Sequence, residues 1–384
     1  MNHEINPQSN HLKQVARLFL KLGVIGFGGP AAHIAMMKDE VVNRRQWMDE
    51  QHFLDLVGAT NLIPGPNSTE MTMHIGRERA GWKGLILAGV CFILPAVLIT
   101  ALFAWLYKQY GQLPEVQPYI YGIKPAIIAI ILAAVVPLAK RSLKSMELGM
   151  LGIATLILSL MGVNEIIVMF GAGFLFMALA ALRGTTTLKS GIHGIFPLTL
   201  LQVSGASVAT VSTVGLFWIF LKIGAILYGS GYVLFAFLDA ELVAGGLLTR
   251  LQLVDAIAVG QFTPGPVFSS VTFIGYQIHG WSGALVSTIG IFLPSFVFVA
   301  LLNPLVNKMR NSRLFSAFLD AVNVASVAII AAICYQMGRE SIIDWRTTLI
   351  GIVSITLVLV LKKTNSALVV IGGALLGYVL ATFF

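Results

Sequence analysis

Two short stretches constrain what this chain can fold into. Phe19-Leu20-Lys21-Leu22-Gly23, followed by Gly28-Gly29-Pro30, is one, and Pro64-Gly65-Pro66 is the other; both lie inside strongly apolar segments. Proline removes a backbone donor and clashes with the preceding turn, while glycine opens dihedrals that other residues avoid. In lipid each unpaired backbone group costs on the order of several kcal/mol, so breaks of this kind persist only where protein or a wet cavity satisfies them. Both stretches recur. Phe220-Leu221-Lys222-Ile223-Gly224 with Gly229-Ser230-Gly231 stands 201 residues on, and Pro264-Gly265-Pro266 stands 200 residues on. Gly76/Gly275, Gly81-Trp82/Gly280-Trp281 and Leu94-Pro95/Leu293-Pro294 continue the match at 199. The chain is a duplication, and each half carries two helix breaks.

Of 384 residues 57% are hydrophobic and 11% charged, where a soluble domain carries about 25% charged residues. Apolar runs of roughly 16–25 residues repeat along the chain, each long enough to cross a hydrocarbon core. The expected fold is an all-α polytopic membrane protein of two homologous halves, about six spans each. Their bounds are 12–182 and 214–384, joined by a linker over 183–213. The opening Met1–Asn10 holds Glu4 and no basic residue, so it is not expected to be a cleaved signal peptide.

The placement of Lys and Arg sets the relative orientation of the halves, because basic loops stay cytoplasmic. In the first half the loops after spans two and four are basic (Arg77, Arg79, Lys83; Lys140, Arg141, Lys144). In the second half the loops after spans three and five are (Lys308, Arg310, Arg313; Lys362, Lys363). The reversal predicts an inverted repeat. With six spans per half, inversion requires an odd extra crossing, for which Ile195–Thr210 is the candidate. The net charge of +8 follows from those loops and also sets up a field that attracts anions. Cys91 and Cys334 are expected to be free thiols that pack as small hydrophobes.

Broken helices carry the expected chemistry. Half-helix N-termini at mid-depth aim free N–H groups at an anionic substrate. The candidate binding residues are Gly28 and Gly29; Pro64, Gly65, Pro66, Asn67 and Ser68; Gly229 and Ser230; and Pro264, Gly265, Pro266 and Ser269. Lys21 and Lys222 are matched cations in matched apolar segments, either functional or snorkelling to the interface. Lys124 is a candidate for the anion path. Glu70 and His33 are candidates for coupling; Glu70 could instead pair with Arg77. Glu40 and Glu241, also matched, suit salt bridges at segment ends.

The seven histidines show no metal-ligand spacing, and neither a cofactor, a metal nor a nucleic-acid partner is expected. No Gly-x-x-x-x-Gly-Lys-Ser/Thr, His-Glu-x-x-His or Gly-x-Ser-x-Gly motif occurs, which argues against an ATPase of that kind and against a membrane enzyme.

Phe-Leu-Lys-Leu-Gly…Gly-Phe-Gly-Gly-Pro-Ala at 19–31, with Pro-Gly-Pro at 64–66 and Gly-Trp…Leu-Pro at 81–95, resembles the chromate ion transporter family. The likeness covers nearly the whole chain, as two such domains joined by a linker. The second copy departs at Gly229-Ser230-Gly231, which lacks the proline. The resemblance implies a secondary transporter in the cytoplasmic membrane that exports chromate and confers chromate resistance, working with a coupling ion (a proton or counter-anion). Some members are linked to sulfate, which makes sulfate the runner-up. An anion channel or a membrane-embedded enzyme is the alternative of another class, and a homodimer is left open.

Overall fold

The structure, a computed structural model, describes residues 7–183, 211–229, 231–301, 312–360 and 365–383. Among the described residues there are 14 α-helices and no strand. The first half holds α1 (Pro7–Ile25), α2 (Gly29–Lys38), a π-helical turn (Asp39–Arg44), α3 (Glu50–Thr60), α4 (Asn67–Tyr110), α5 (Gln117–Ser142), α6 (Met146–Leu160) and α7 (Glu165–Arg183). The second half repeats the order with α8 (Thr213–Ile226), α9 (Val233–Leu238), a π-helical turn (Asp239–Val243), α10 (Arg250–Phe262), a 3₁₀ turn (Val267–Ser269), α11 (Ser270–Leu301), α12 (Arg313–Ser341), α13 (Trp345–Val360) and α14 (Ser366–Phe383). Six of the helical segments are long and apolar enough to cross a membrane, and three shorter ones are apolar.

The breaks turn the chain back instead of kinking it. Lys21 near the end of α1 bonds Glu40 beyond α2 at 2.7 Å, so α2 returns towards the side from which α1 came. His52 at the start of α3 lies 2.7 Å from Glu78, so α3 and the opening stretch of α4 also form a hairpin, tipped by Pro64-Gly65-Pro66. A second reversal follows within α4, where Ala80 and Gly81 leave helical geometry and Gly81 takes φ 63°. Only glycine adopts that conformation cheaply. The remainder of α4 then runs back alongside the hairpin arm, with Gly76 against Gly84 and Ala88. His279 and Gly280, with φ 61° at the glycine, repeat this turn in α11. Each half thus holds two hairpins and four apolar helices, the six segments expected from the sequence.

The halves are inverted. Arg77, at the open end of the first half's hairpin, donates to the carbonyls of Val299 and Ala300 at the far end of α11. Gln277, at the open end of the second half's hairpin, donates to the carbonyl of Ala104 at the far end of α4. The two helices therefore run antiparallel, and the hairpins enter from opposite faces. Ion pairs between helix ends fit the same two faces: Arg183–Glu147 and Lys144–Asp320 lie on the first, Arg250–Asp239 and Arg250–Glu340 on the second. The candidate extra crossing Ile195–Thr210 lies outside the described residues.

The halves also exchange partners. α5 packs against α13 and α14 of the second half, and α12 packs against α6 and α7 of the first. The main core surrounds the second half's breaks, through Phe220, Phe235, Phe237, Phe268 and Phe273, all essentially without exposure. Both cysteines are free.

Candidate functional site

The four breaks meet midway along α4 and α11. Gly65 N–H donates to Leu227 O at 2.8 Å, and Gly265 N–H donates to Gly26 O at 2.7 Å. Each Pro-Gly-Pro tip is thus tied to the other half's first break. Gly65 takes φ 135° and Gly265 φ 91°. A side chain at Gly65 would collide with Glu70 Oε1 and Ser295 Oγ, and one at Gly265 would meet Ala96 Cβ at 2.9 Å. Ala96 and Ser295 sit next to the matched prolines Pro95 and Pro294, deep within their helices. The tips therefore lie at mid-depth.

Four half-helices start there. α2 begins after Gly28 (φ 102°), and α4 begins after Pro66, neither with a side-chain cap. In the second half α9 follows Tyr232 and the 3₁₀ turn follows Pro266, again without a side-chain cap. First-turn N–H groups have no partner inside their helix. At α2 these belong to Gly28, Gly29 and Ala31, since Pro30 has none.

The two halves treat this arrangement differently. In the first, His33 Nε2 meets the carbonyl of Gly26 at 2.9 Å and Nδ1 meets Ser68 Oγ at 3.3 Å. A carbonyl only accepts, so Nε2 carries the hydrogen and Nδ1 is left to accept from Ser68. This bond joins the start of α2 to the start of α4. Asn67 Nδ2 donates to Asn61 Oδ1 at 2.6 Å; Gly28, Ala31 and Asn61 are exposed, and Gly29 and Asn67 partly so. In the second half Leu234 stands at the position of His33 and Phe268 at that of Ser68, both buried. Its tip, Pro264, Gly265 and Pro266, is buried, as Pro64, Gly65 and Pro66 are in the first. Ser269 is fully buried and accepts from Thr100 Oγ1 at 3.2 Å. The polar, reachable break is the first one.

The lysines singled out from sequence do not touch the tips. Lys21 and Lys222 make equivalent pairs with Glu40 (2.7 Å) and Glu241 (2.6 Å), closing the α1–α2 and α8–α9 hairpins. Glu40 also receives Arg45, and the bond from Lys21 is the main reason its carboxyl sits below the usual carboxylate range. Lys124 lies 3.7 Å from Asp255, whose other oxygen accepts from Tyr107 at 2.7 Å. Glu70 is fully buried beside Gly65 and not paired with Arg77, which stacks on Trp82 at 4.3 Å. Gly229 keeps the left-handed geometry (φ 97°) of its counterpart Gly28; Ser230 lies outside the described residues. Asn61, Ser295, Asp255 and Tyr107 did not stand out in the sequence. Asp255 could have, because Asp55 matches it 200 residues earlier. Among the described residues there is no group of His, Cys, Asp and Glu able to hold a metal ion.

Two inverted halves, each folding broken helices onto a common mid-depth site, make this a multi-pass membrane protein with the architecture of a transporter. The chain belongs to the chromate transporter family, whose pattern it matches twice, over residues 13–177 and 214–378. It is accordingly a transport protein and not an enzyme. It is 32% identical to the chromate transport protein of Cupriavidus metallidurans, over 96% of this chain and 93% of that one. It is 31% identical to a protein of Synechococcus elongatus named "probable chromate transport protein", over 96% and 95%. With the chromate transport protein of Pseudomonas aeruginosa it shares 27%, over 88% and 83%. No solved structure matches it.

Proposed function

We propose that this chain is a secondary active transporter of chromate in the cytoplasmic membrane, working as an exporter that gives chromate resistance. The observation that carries this reading is the uncapped start of α2, beside Asn61, Asn67 and the His33–Ser68 bond. A tetrahedral dianion matches such a site. Helix N-termini supply N–H groups and partial positive charge, typically about 0.3–1 kcal/mol and up to about 2 when partly buried. Amide and hydroxyl donors complete the shell, and neutral donors allow the anion to leave again. The second half contributes backbone at Gly229 and Gly265, while Leu234 and Phe268 close that side. Lys21, Lys222 and Lys124 act at a distance, through hairpins and paths that they brace.

The first face carries Arg44, Arg45, Arg77, Arg79, Lys83, Lys140, Arg141 and Lys144, which makes it the cytoplasmic one. The polar break belongs to hairpins that enter from this face, which suits loading from the cytoplasm. Alternating access would proceed by parting one pair of tips while the other stays tied. Sulfate has the same shape and charge and is the second substrate to test.

The test is chromate and sulfate flux in proteoliposomes holding the purified protein, with and without an imposed pH gradient. Gradient-driven chromate flux that sulfate competes away supports the reading. Flux indifferent to every gradient would make the protein a channel, and no flux of either anion would remove the substrate.

A further inference from the structure

We propose that Glu70 is a proton-binding site, occupied by one proton in the conformation described here and emptied once per transport cycle. This rests on the reading of the chain as a secondary transporter. Glu70 is in the first turn of α4 and has no exposure. Among the described residues no cation pairs with the carboxyl, and no hydrogen bond of good geometry reaches either oxygen; Ser295 Oγ, which faces the same Gly65, is the one neutral donor beside it. A carboxylate charge buried without a cation, beside a single hydroxyl, is among the costliest arrangements a protein can hold, and such a group takes up a proton instead.

The surrounding titratable groups do not change that balance. Tyr228 approaches from the second half's first break. His74 is one turn further along α4, and His33 bonds Ser68 two residues before Glu70. Gly65, whose side-chain position Glu70 occupies, is the residue whose N–H is tied to Leu227 O. When the tip separates from Leu227, that N–H is freed beside the carboxyl and water gains entry. The carboxylate then acquires a further donor and a solvent contact, and the proton can leave. Tip opening and proton release thus become one event.

The site exists once. The position matching Glu70 is Ser270 and the one matching Ser295 is Ala96, so the Gly265 tip has no titratable neighbour of this kind. The duplication therefore predicts one proton per cycle.

The test uses purified full-length protein and two readouts. Difference infrared spectroscopy at neutral pH should show the carbonyl band of a protonated carboxylic acid that Glu70→Gln removes. In proteoliposomes, the ratio of chromate flux with a pH gradient to flux without one should exceed unity by about tenfold in the wild type, a usual size for coupling between sites. That ratio should fall to one in Glu70→Gln. Glu70→Asp, which keeps the carboxyl, should retain the band and the response, and it serves if the glutamine variant does not fold. A wild-type spectrum from which Glu70→Gln removes no such band overturns the proposal, as does an unchanged flux ratio in that variant. Gradient-independent chromate flux in the wild type overturns it while leaving chromate transport standing. A band without chromate flux leaves the proton site standing and removes the substrate.

Discussion

The backbone N–H of Gly65 points at the carbonyl of Leu227, 2.8 Å away in the other repeat, and Gly265 does the same to Gly26 at 2.7 Å. The two bonds are copies of one another under the duplication. Each break therefore receives, from the opposite half, part of the backbone pairing that its proline and glycine residues take away within the helix. This is how segments so poor in helical hydrogen bonds persist at membrane depth.

Gly65→Ala should be the most damaging single change at the tips. Positive φ costs a non-glycine residue about 1–2 kcal/mol, and the new methyl would also meet Glu70 and Ser295. Gly29→Ala has the strain (φ 76°) but open space around it. Thermal unfolding in detergent should show the larger drop for Gly65→Ala; equal drops would mean that the neighbours give way.

Copying the second half's residues into the first tests where the anion sits. His33→Leu with Ser68→Phe reproduces the Leu234 and Phe268 arrangement. We expect chromate binding, read by equilibrium dialysis, to fall at least about tenfold, the loss for one or more missing polar contacts in a buried site. Unchanged binding would move the site away from α2.

The two hairpin lysines should differ in their effect on stability. Lys222 and Glu241 keep 15% and 14% side-chain exposure, whereas Lys21 keeps 48%. Lys222→Gln leaves Glu241 largely buried without its lysine and should cost about 3 kcal/mol. Lys21→Gln should cost about 1 kcal/mol or less, because solvent screens the pair and Arg45 still holds Glu40. Urea unfolding in mixed micelles would rank them; the reverse order would contradict the pairing described here.

Glu40 gives an acid-side prediction. Its carboxyl is held below its ordinary value of 4.5, first by the hydrogen bond from Lys21. A group depressed on folding contributes stability that is complete above its unfolded value and lost as pH falls through the folded one. Wild-type melting temperature should therefore decline as pH drops below about 4.5. Lys21→Gln should show a shallower decline over that range, and identical acid arms would remove Glu40 from the account.

Lys124 and Asp255 should be coupled. Lys124→Gln alone strands Asp255, which has 6% side-chain exposure, and Asp255→Asn in the same chain should restore part of the loss. A double-mutant cycle on melting temperature should give an interaction of about 1–3 kcal/mol; additive losses would show the 3.7 Å separation to be incidental. If the double variant folds yet carries chromate poorly, Lys124 serves the anion's path as well.

The duplication, the breaks and the opposed orientation of the halves were legible in the sequence, because proline, glycine and arginine are punctuation that lipid enforces. The fold-back at each break was not. An apolar run such as Leu12–Met37 reads the same whether the chain goes on or turns, and the left-handed backbone at Gly28 is visible only in three dimensions. Lys21 and Lys222 drew attention as buried cations. Their matched partners Glu40 and Glu241, each 19 residues further on, carried the signal that would have paired them. The asymmetry between His33–Ser68 and Leu234–Phe268 was open to inspection at the repeat offset, but only the contact between α2 and α4 gives it meaning.

The exchange of helices between the halves bears on how the protein is made. α5 approaches α14 so closely that Gly122 has no room for a methyl beside Gly373 and Gly377, and those glycines leave the ribosome some 250 residues later. Until then the first half lacks the helix that packs on Gly122 in the finished protein. The nascent chain is thus inserted long before it is assembled, and the two halves can mature only as a pair.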